Sequence, residues 1–206
     1  LYEKAMEMAR ASSPDLLIFG GDYLGPLSMK DRMGELLQTV RGRLGTFGVI
    51  GNHDHWFDRE AIVETLKSVG VEMLGNTHQL VTREDGLELL IAGCESPWSA
   101  KAWSPIANEL PKLRIVASHT PDNIFHLAQE SEATLVLSGH THAGQGRIPG
   151  YGPALIPSVH GRLFDHGHYI VDKTHLVVSA GVGVQIPLRL WCQPDITIVD
   201  LIPAKS

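Results

Sequence analysis

The stretch Phe47-Gly48-Val49-Ile50-Gly51-Asn52-His53-Asp54 is a short apolar run that stops at a glycine and continues into polar residues. Runs of this kind predict a buried strand followed by a turn. The same design recurs three times, in residues 16–19 before Gly20-Gly21-Asp22, 113–118 before His119, and 134–138 before Gly139-His140-Thr141-His142. The carboxyl ends of neighbouring strands in an α/β sheet lie along one edge. We therefore expect these polar residues to converge.

Helical patterns alternate with the strands. Apolar residues spaced three and four apart predict helices near residues 2–9, 33–40 and 62–69, and Thr120-Pro121 predicts the start of another. Glu84-Asp85-Gly86 predicts a hairpin turn, because Asp-Gly accepts positive φ angles. Later strands are predicted at residues 169–171, 176–178 and 196–201. The pattern is typical of an α/β protein with helices packed on sheets.

Composition limits the class of protein. The 206 residues are 43% hydrophobic and 19% charged, which predicts one globular domain over residues 1–206. A net charge of -6 and a pI near 6.0 disfavour general nucleic-acid binding but allow a small phosphorylated substrate. Cys94 and Cys192 match no CxxC pattern, so they are interpreted as small buried hydrophobic residues.

The first residues of the sequence indicate that an upstream segment precedes them. The chain begins at Leu1 and enters a helical pattern at once, and no run of 18 apolar residues is present. We expect an upstream segment that could carry targeting or anchoring information, so both a cytoplasmic and a membrane-associated location stay open.

The residues at the strand ends have the chemistry of metal ligands. Carboxylate, amide and imidazole groups suit first-row divalent metals such as Mn, Fe or Zn. The alternative for each position is local loop chemistry, with Asp22 in an Asx turn, Asn52 as a cap and the histidines as satisfied polar groups. For all four strand ends together, convergence on a metal is the stronger interpretation.

These motifs also resemble a known family. Gly21-Asp22, Gly51-Asn52-His53-Asp54, His119 and Gly139-His140-Thr141-His142 resemble, in order, four of the five motif blocks of the calcineurin-like metallophosphoesterases. Segments around residues 118–122, 139–145 and 179–189 resemble its bacterial membrane-associated phosphodiesterase-like branch. The resemblance implies a four-layer αββα fold with two mixed β-sheets flanked by helices and with its first strand missing.

The resemblance also implies a ligand for each metal. Asp22 would bridge two divalent ions, and Asn52, His119 and His140 would complete one site, whereas His142 would belong to the other. In the family an Asp-x-His block precedes the helix with which this chain begins, so we expect it upstream. Asp22 and His142 without that block are too few ligands to hold a second ion firmly. Manganese is the metal we expect, with iron or zinc as alternatives.

The implied chemistry is hydrolysis of a phosphate ester, in which two ions lower the pKa of a bridging water. His53 would be a catalytic residue that is not a ligand and that stabilises the transition state or protonates the leaving oxygen. Asp54 would orient the imidazole of His53, or would instead cap the following helix.

Three functions stay open at this point: a phosphodiesterase, a hydrolase of a UDP-sugar-lipid pyrophosphate at a membrane surface, and a non-catalytic metal-binding scaffold. The partners expected are a small phosphorylated substrate and peripheral membrane contact, and the oligomeric state is open. Five loop residues are candidates for holding the rest of a substrate: Tyr23, Trp56, Arg147, Tyr151 and Arg162. Trp98 and Trp103 are interpreted as core packing, with a pocket wall or a membrane-facing lip as the alternative.

Overall fold

A computed structural model describes residues 1–23, 30–100, 103, 111, 113–130, 133–183 and 188–202. The helices are α1 (Tyr2–Ala11), α2 (Lys30–Leu37), α3 (Asn52–Trp56), α4 (Arg59–Ser68) and α5 (Ile124–Glu130). The strands are β1 (Leu16–Phe19), β2 (Gly45–Gly48), β3 (Glu72–Met73), β4 (His78–Thr82), β5 (Glu88–Cys94), β6 (Arg114–Ser118), β7 (Leu135–Ser138), β8 (Arg147–Ile148), β9 (Gly152–Pro153), β10 (Gly167–Val171) and β11 (Thr174–Val178).

Two sheets form the centre of the fold. The first has the order β1-β2-β3, and its described pairs are parallel. The second has six strands in the order β10-β11-β7-β6-β5-β4, with antiparallel pairs at both edges and parallel pairs between them. Strands β8 and β9 pair separately. The larger sheet is therefore mixed, as predicted, whereas the smaller one is parallel over its described strands.

Three clusters of buried apolar residues separate the four layers of the fold. One cluster lies between the two sheets and joins Phe47 and Val49 to Ile91 and Ile115. A second cluster packs α2 and α4 on the outer side of the small sheet, and a third packs α5 on the outer side of the large sheet. The large sheet thus packs on both faces, which is why its inner strands β5 and β6 are continuous apolar runs, whereas its edge strands β4 and β10 alternate between covered and exposed residues. The predicted αββα arrangement is confirmed.

Most predicted elements are present, with one exception. The hairpin around residues 84–86 joins β4 to β5, and residues 169–171 and 176–178 lie in β10 and β11. The strand predicted at residues 196–201 was wrong, because this segment has no regular secondary structure. Its apolar side chains are largely exposed, with Ile198 at 64% and Leu201 at 49%. An apolar run becomes a strand when it finds an edge to pair with and a face to bury.

The strand register determines where the polar loops begin. Cys94 pairs with Ser118, Ser118 pairs with Ser138, and Ser138 pairs with Val178, so four strands of the large sheet end in one row. The next residues of β5, β6 and β7 are Glu95, His119 and Gly139. Their loops therefore open on the same edge, as the sequence predicted.

Candidate metal centre

The Nε2 atom of His119 lies at the centre of the cluster. It is 3.1 Å from Oδ1 of Asn52, 3.1 Å from Nδ1 of His140 and 3.4 Å from Oδ2 of Asp22. The ligand atoms of Asp22, His119 and His140 lie within 4.8 Å of one another. Four strand ends from both sheets therefore bring their polar residues to one point.

The hydrogen bond made by Nδ1 of His119 determines which form of the ring faces the cluster. Nδ1 lies 2.7 Å from the carbonyl oxygen of Gly20, so it carries the ring hydrogen and donates it there. When the ring is neutral, Nε2 keeps a lone pair that faces the lone pairs of Asn52 and Asp22. Electron-pair donors that converge repel one another unless a proton or a metal ion lies between them. The donor set therefore fits a divalent metal.

Charges around the cluster agree with a cation. Burial alone would raise the pKa of Asp22, but the hydrogen bond and charge of His119 outweigh it and lower that pKa. Burial alone would lower the pKa of His119, but Asp22 outweighs it and raises that pKa, so a proton is favoured at the place where a metal ion would lie and would be displaced by it. Burial and the charge of His119 lower the pKa of His140 to about 4, so its imidazole is neutral at pH 7 and keeps a lone pair.

Three of the predicted ligands have a left-handed backbone. The φ angles are 58° at Asp22, 64° at His140 and 49° at His142. Residues other than glycine rarely adopt this region, and doing so costs on the order of 1–3 kcal/mol. Such strain persists where the surrounding structure holds it, and it is concentrated at functional sites.

His142 lies beside this cluster but outside its three-residue group. Its Nδ1 is buried and has no hydrogen-bond partner within the described part of the chain. Burial, and then the charge of Arg189, lower the pKa of His142. A neutral imidazole with a buried, unpartnered nitrogen is suited to a metal next to Asp22.

The Asp54 carboxylate accepts hydrogen bonds from the backbone of three residues. Its oxygens accept the N–H groups of Asp22 at 2.8 Å, Tyr23 at 2.9 Å and Gly51 at 2.9 Å. The bond from Gly51 caps the N-terminus of α3, the helix that contains Asp54, whereas the following helix α4 is capped by Asp58. The prediction that Asp54 caps the following helix was therefore wrong, and its orientation of the His53 imidazole stays a prediction. Burial raises the pKa of Asp54 to about 6, although its backbone donors oppose the rise. Asp54 joins the loop after β1 to the loop after β2.

His53 lies beside the cluster and at the protein surface. Its backbone N–H donates to Oδ1 of Asp22 at 2.9 Å. Its ring packs edge-on against Trp56, with 4.7 Å between the centroids, and Trp56 is 66% exposed. His53 is half-buried, with its backbone on a candidate ligand and its ring on an exposed side chain.

Two glycines allow the loops to approach this closely. A Cβ at Gly51 would lie 2.6 Å from the backbone nitrogen of Asp22 and 2.6 Å from Cε1 of His119. A Cβ at Gly21, where φ is 95°, would lie 2.6 Å from the backbone nitrogen of Gly51. The contacting atoms are backbone or buried ring, so they cannot move aside without displacing the ligands.

Gly51→Ala is therefore expected to disturb both stability and the site. Overpacking costs roughly 1–3 kcal/mol, which corresponds to a fall in melting temperature of about 3–10 °C. Gly139→Ala is the matched control, because a Cβ there meets no described atom within 4 Å. Thermal unfolding with and without Mn²⁺ measures the effect. Equal melting temperatures for the two variants would contradict the close approach.

Trp98 was interpreted from the sequence as core packing or as a pocket wall, whereas Glu95 was not assigned to the site at all. Trp98 packs its ring against His119 and His140, with centroid distances of 5.4 Å and 5.1 Å, so it is a wall of the centre. Glu95 directly follows β5 and is only 1% exposed. Its place at a strand end was a signal of the same kind as that of His119.

The other proposed substrate contacts divide into two groups. Tyr23 packs against the helix-side core and its ring edge contacts Phe19, so it is part of the core rather than of a cleft. Arg147 bonds Asp165, and Arg162 bonds the carbonyl oxygen of Tyr151 and covers its ring. These loop arginines are already engaged by protein partners.

Comparison with known proteins agrees with this geometry. The family model for the calcineurin-like phosphoesterase matches residues 2–144. The chain is 30% identical to "Phosphodiesterase YaeI" of Escherichia coli (strain K12), covering 98% of this chain and 76% of that protein. It is also 30% identical to "Uncharacterized metallophosphoesterase YkuE" of Bacillus subtilis (strain 168), covering 92% and 68% respectively. The chain belongs to the calcineurin-like phosphoesterase family, which is metal-dependent.

A third relative is "Transmembrane protein with metallophosphoesterase domain" of Danio rerio, 30% identical over 97% of this chain and 48% of that protein. Among the helices described for this chain, none is long and apolar enough to span a bilayer.

Proposed function

We propose that the chain is a metal-dependent phosphodiesterase that hydrolyses a small phosphorylated substrate. The observation that carries the proposal is the convergence of Asp22, Asn52 and His140 on Nε2 of His119. These four residues would hold one divalent ion, and Asp22 and His142 would contribute to a second. Manganese is the metal proposed first, with iron and zinc as alternatives.

Bound divalent ions would supply Lewis-acid charge to the phosphoryl oxygens and lower the pKa of the attacking water. The hydrogen bond from Nδ1 of His119 to Gly20 fixes the ring tautomer that leaves Nε2 as a ligand. The N–H of His53 holds Oδ1 of Asp22, which orients the carboxylate. The attacking water loses a proton to solvent as its oxygen bonds to phosphorus, the ester P–O bond breaks, and a protonated His53 ring gives its proton to the departing oxygen. The ring takes up a proton from solvent afterwards.

The surface beside His53 would receive the departing group. Trp56 contacts the His53 ring, and both Trp56 and the neighbouring Phe57, which is 51% exposed, present apolar area there. An alcohol that leaves past the imidazole would pass these two side chains. We therefore propose that diesters with an apolar or aromatic leaving group are preferred over those with a small polar one.

Metal removal tests the proposal. Chelation should lower the hydrolysis of bis(4-nitrophenyl) phosphate by at least about 100-fold, because the metal supplies several kcal/mol of transition-state stabilisation. Mn²⁺ added back should restore it, and titration should show one ion bound more tightly than any second. The same panel, extended to monoesters and to a pyrophosphate-linked nucleotide sugar, ranks substrates. Hydrolysis that chelation leaves unchanged would contradict the proposal.

A further inference from the structure

A buried carboxylate links the two sheets beside the metal centre. Glu95 follows β5 of the large sheet, and its Oε1 accepts the backbone N–H of Ile50 at 2.9 Å. Ile50 is fully buried and immediately precedes Gly51, where the loop carrying Asn52 begins. The backbone N–H of Glu95 donates to Oδ1 of Asn76 at 2.6 Å, so the residue is held at both ends.

The position of this bond matters because the centre takes its ligands from both sheets. Asp22 and Asn52 follow strands of the small sheet, whereas His119 and His140 follow strands of the large sheet. Any shift of one sheet along the other would separate these pairs. The Glu95 to Ile50 bond crosses between the sheets at the last residue before the Asn52 loop.

A buried carboxylate such as that of Glu95 destabilises the fold if it only fills space in the core. Its side chain is 1% exposed, and its Oε2 has no hydrogen-bond partner in the described ranges. The guanidinium of Arg59 lies 3.7 Å from that oxygen, which is too far for a hydrogen bond, and is itself 36% exposed. A buried carboxyl oxygen without a hydrogen bond destabilises a fold. The arrangement suits a residue whose side-chain length is needed to bring an accepting oxygen to the N–H of Ile50.

We propose that Glu95 is a positioning residue, which fixes Asn52 and His53 relative to His119 and His140 by holding the N–H of Ile50. This inference rests on the proposed metal centre. It assigns the effect to the length of the side chain and its accepting oxygen. The negative charge contributes little.

Two substitutions of Glu95 separate the effect of side-chain length from the effect of the negative charge. Glu95→Gln keeps an accepting oxygen at the same distance and loses the charge, whereas Glu95→Asp keeps the charge and is shorter by about 1.5 Å. Thr174→Val is the control for a lost buried hydrogen bond, because Thr174 bonds the carbonyl oxygen of Ala133 at the start of β11, at the opposite end of the sheet. Circular dichroism establishes that each variant is folded.

The readout is Co²⁺ binding to the metal-depleted chain, followed by the visible absorption of the bound ion, which reports its coordination geometry. Glu95→Asp should weaken Co²⁺ binding by about 10–100-fold and change the spectrum, as loss of an outer-shell partner does. Glu95→Gln should bind within about 3-fold of the unmodified chain with the same spectrum, since it keeps the hydrogen bond that orients the loop.

Each outcome decides the inference. An Asp variant with unchanged Co²⁺ affinity and spectrum would overturn it, as would a Gln variant weakened as much as the Asp variant. A loss of affinity in Thr174→Val equal to that in Glu95→Asp would also overturn it, because general destabilisation would then suffice. If the unmodified chain binds no Co²⁺, the metal centre itself is wrong. If it binds Co²⁺ and the Glu95 variants do not differ as stated, this inference alone fails.

Discussion

His140→Ala is expected to remove the tightly bound metal and, with it, hydrolysis. Nδ1 of His140 faces Nε2 of His119 at 3.1 Å, and burial together with the charge of His119 keeps the pKa of His140 low and its ring neutral. Loss of an outer-shell partner already costs about 10–100-fold in metal affinity, so loss of a ligand should cost more than about 100-fold. Elemental analysis after gel filtration and a Mn²⁺ titration measure the loss.

His78→Ala is the matched control for this experiment. His78 is exposed and begins β4, at the edge of the large sheet. The control should keep both the metal and the activity. Metal content in the His140 variant equal to that of the control would show that His140 is not a ligand.

The strands that carry the site could be predicted because each is buried on both faces. Burial between a helix layer and the other sheet makes residues such as Val49 and Val116 fully buried, so the apolar run is continuous and its end is sharp. The glycine or polar residue that follows marks where the chain leaves the core. Convergence then followed from parallel strands that end in one row.

The assignment of strands to two sheets could not be predicted from these runs. Strands β2 and β6 both lead into the candidate site, yet they belong to different sheets, and no feature of their sequences says so. The segment at residues 196–201 has the same apolar character but stays exposed. The local sequence shows only that a strand is possible. A strand forms when the segment can pair with the edge of a sheet.

Contacts within the site depend on where distant loops cross. The two carboxylates Asp54 and Glu95 accept backbone N–H groups from Tyr23 and Ile50, which lie 31 and 45 residues away. No periodicity or motif spacing encodes which N–H groups a buried carboxylate will meet. The sequence therefore predicted the candidate ligands but not the groups that hold their loops.

His53→Ala is expected to lower turnover strongly while leaving metal content unchanged. The contact of residue 53 with Oδ1 of Asp22 comes from its backbone N–H, which alanine retains, so the ligand carboxylate stays oriented. Loss of a general acid costs on the order of 10²–10⁴-fold. The loss should be larger for a diester with a basic alkoxide leaving group than for a nitrophenyl ester, whose oxygen departs without a proton. Steady-state kinetics on the two esters, with metal analysis of the same samples, measures both effects.

The two histidine variants together separate the roles of ligand and proton donor. His140→Ala should lose metal and lose activity on both esters, because metal charge acts on the phosphoryl group whatever the leaving oxygen is. His53→Ala should keep metal and show a loss that grows with the basicity of the leaving group. A His53 variant that loses its metal, or that loses activity equally on both esters, would contradict a proton-donor role. Added imidazole that restores turnover only on the basic ester would support it.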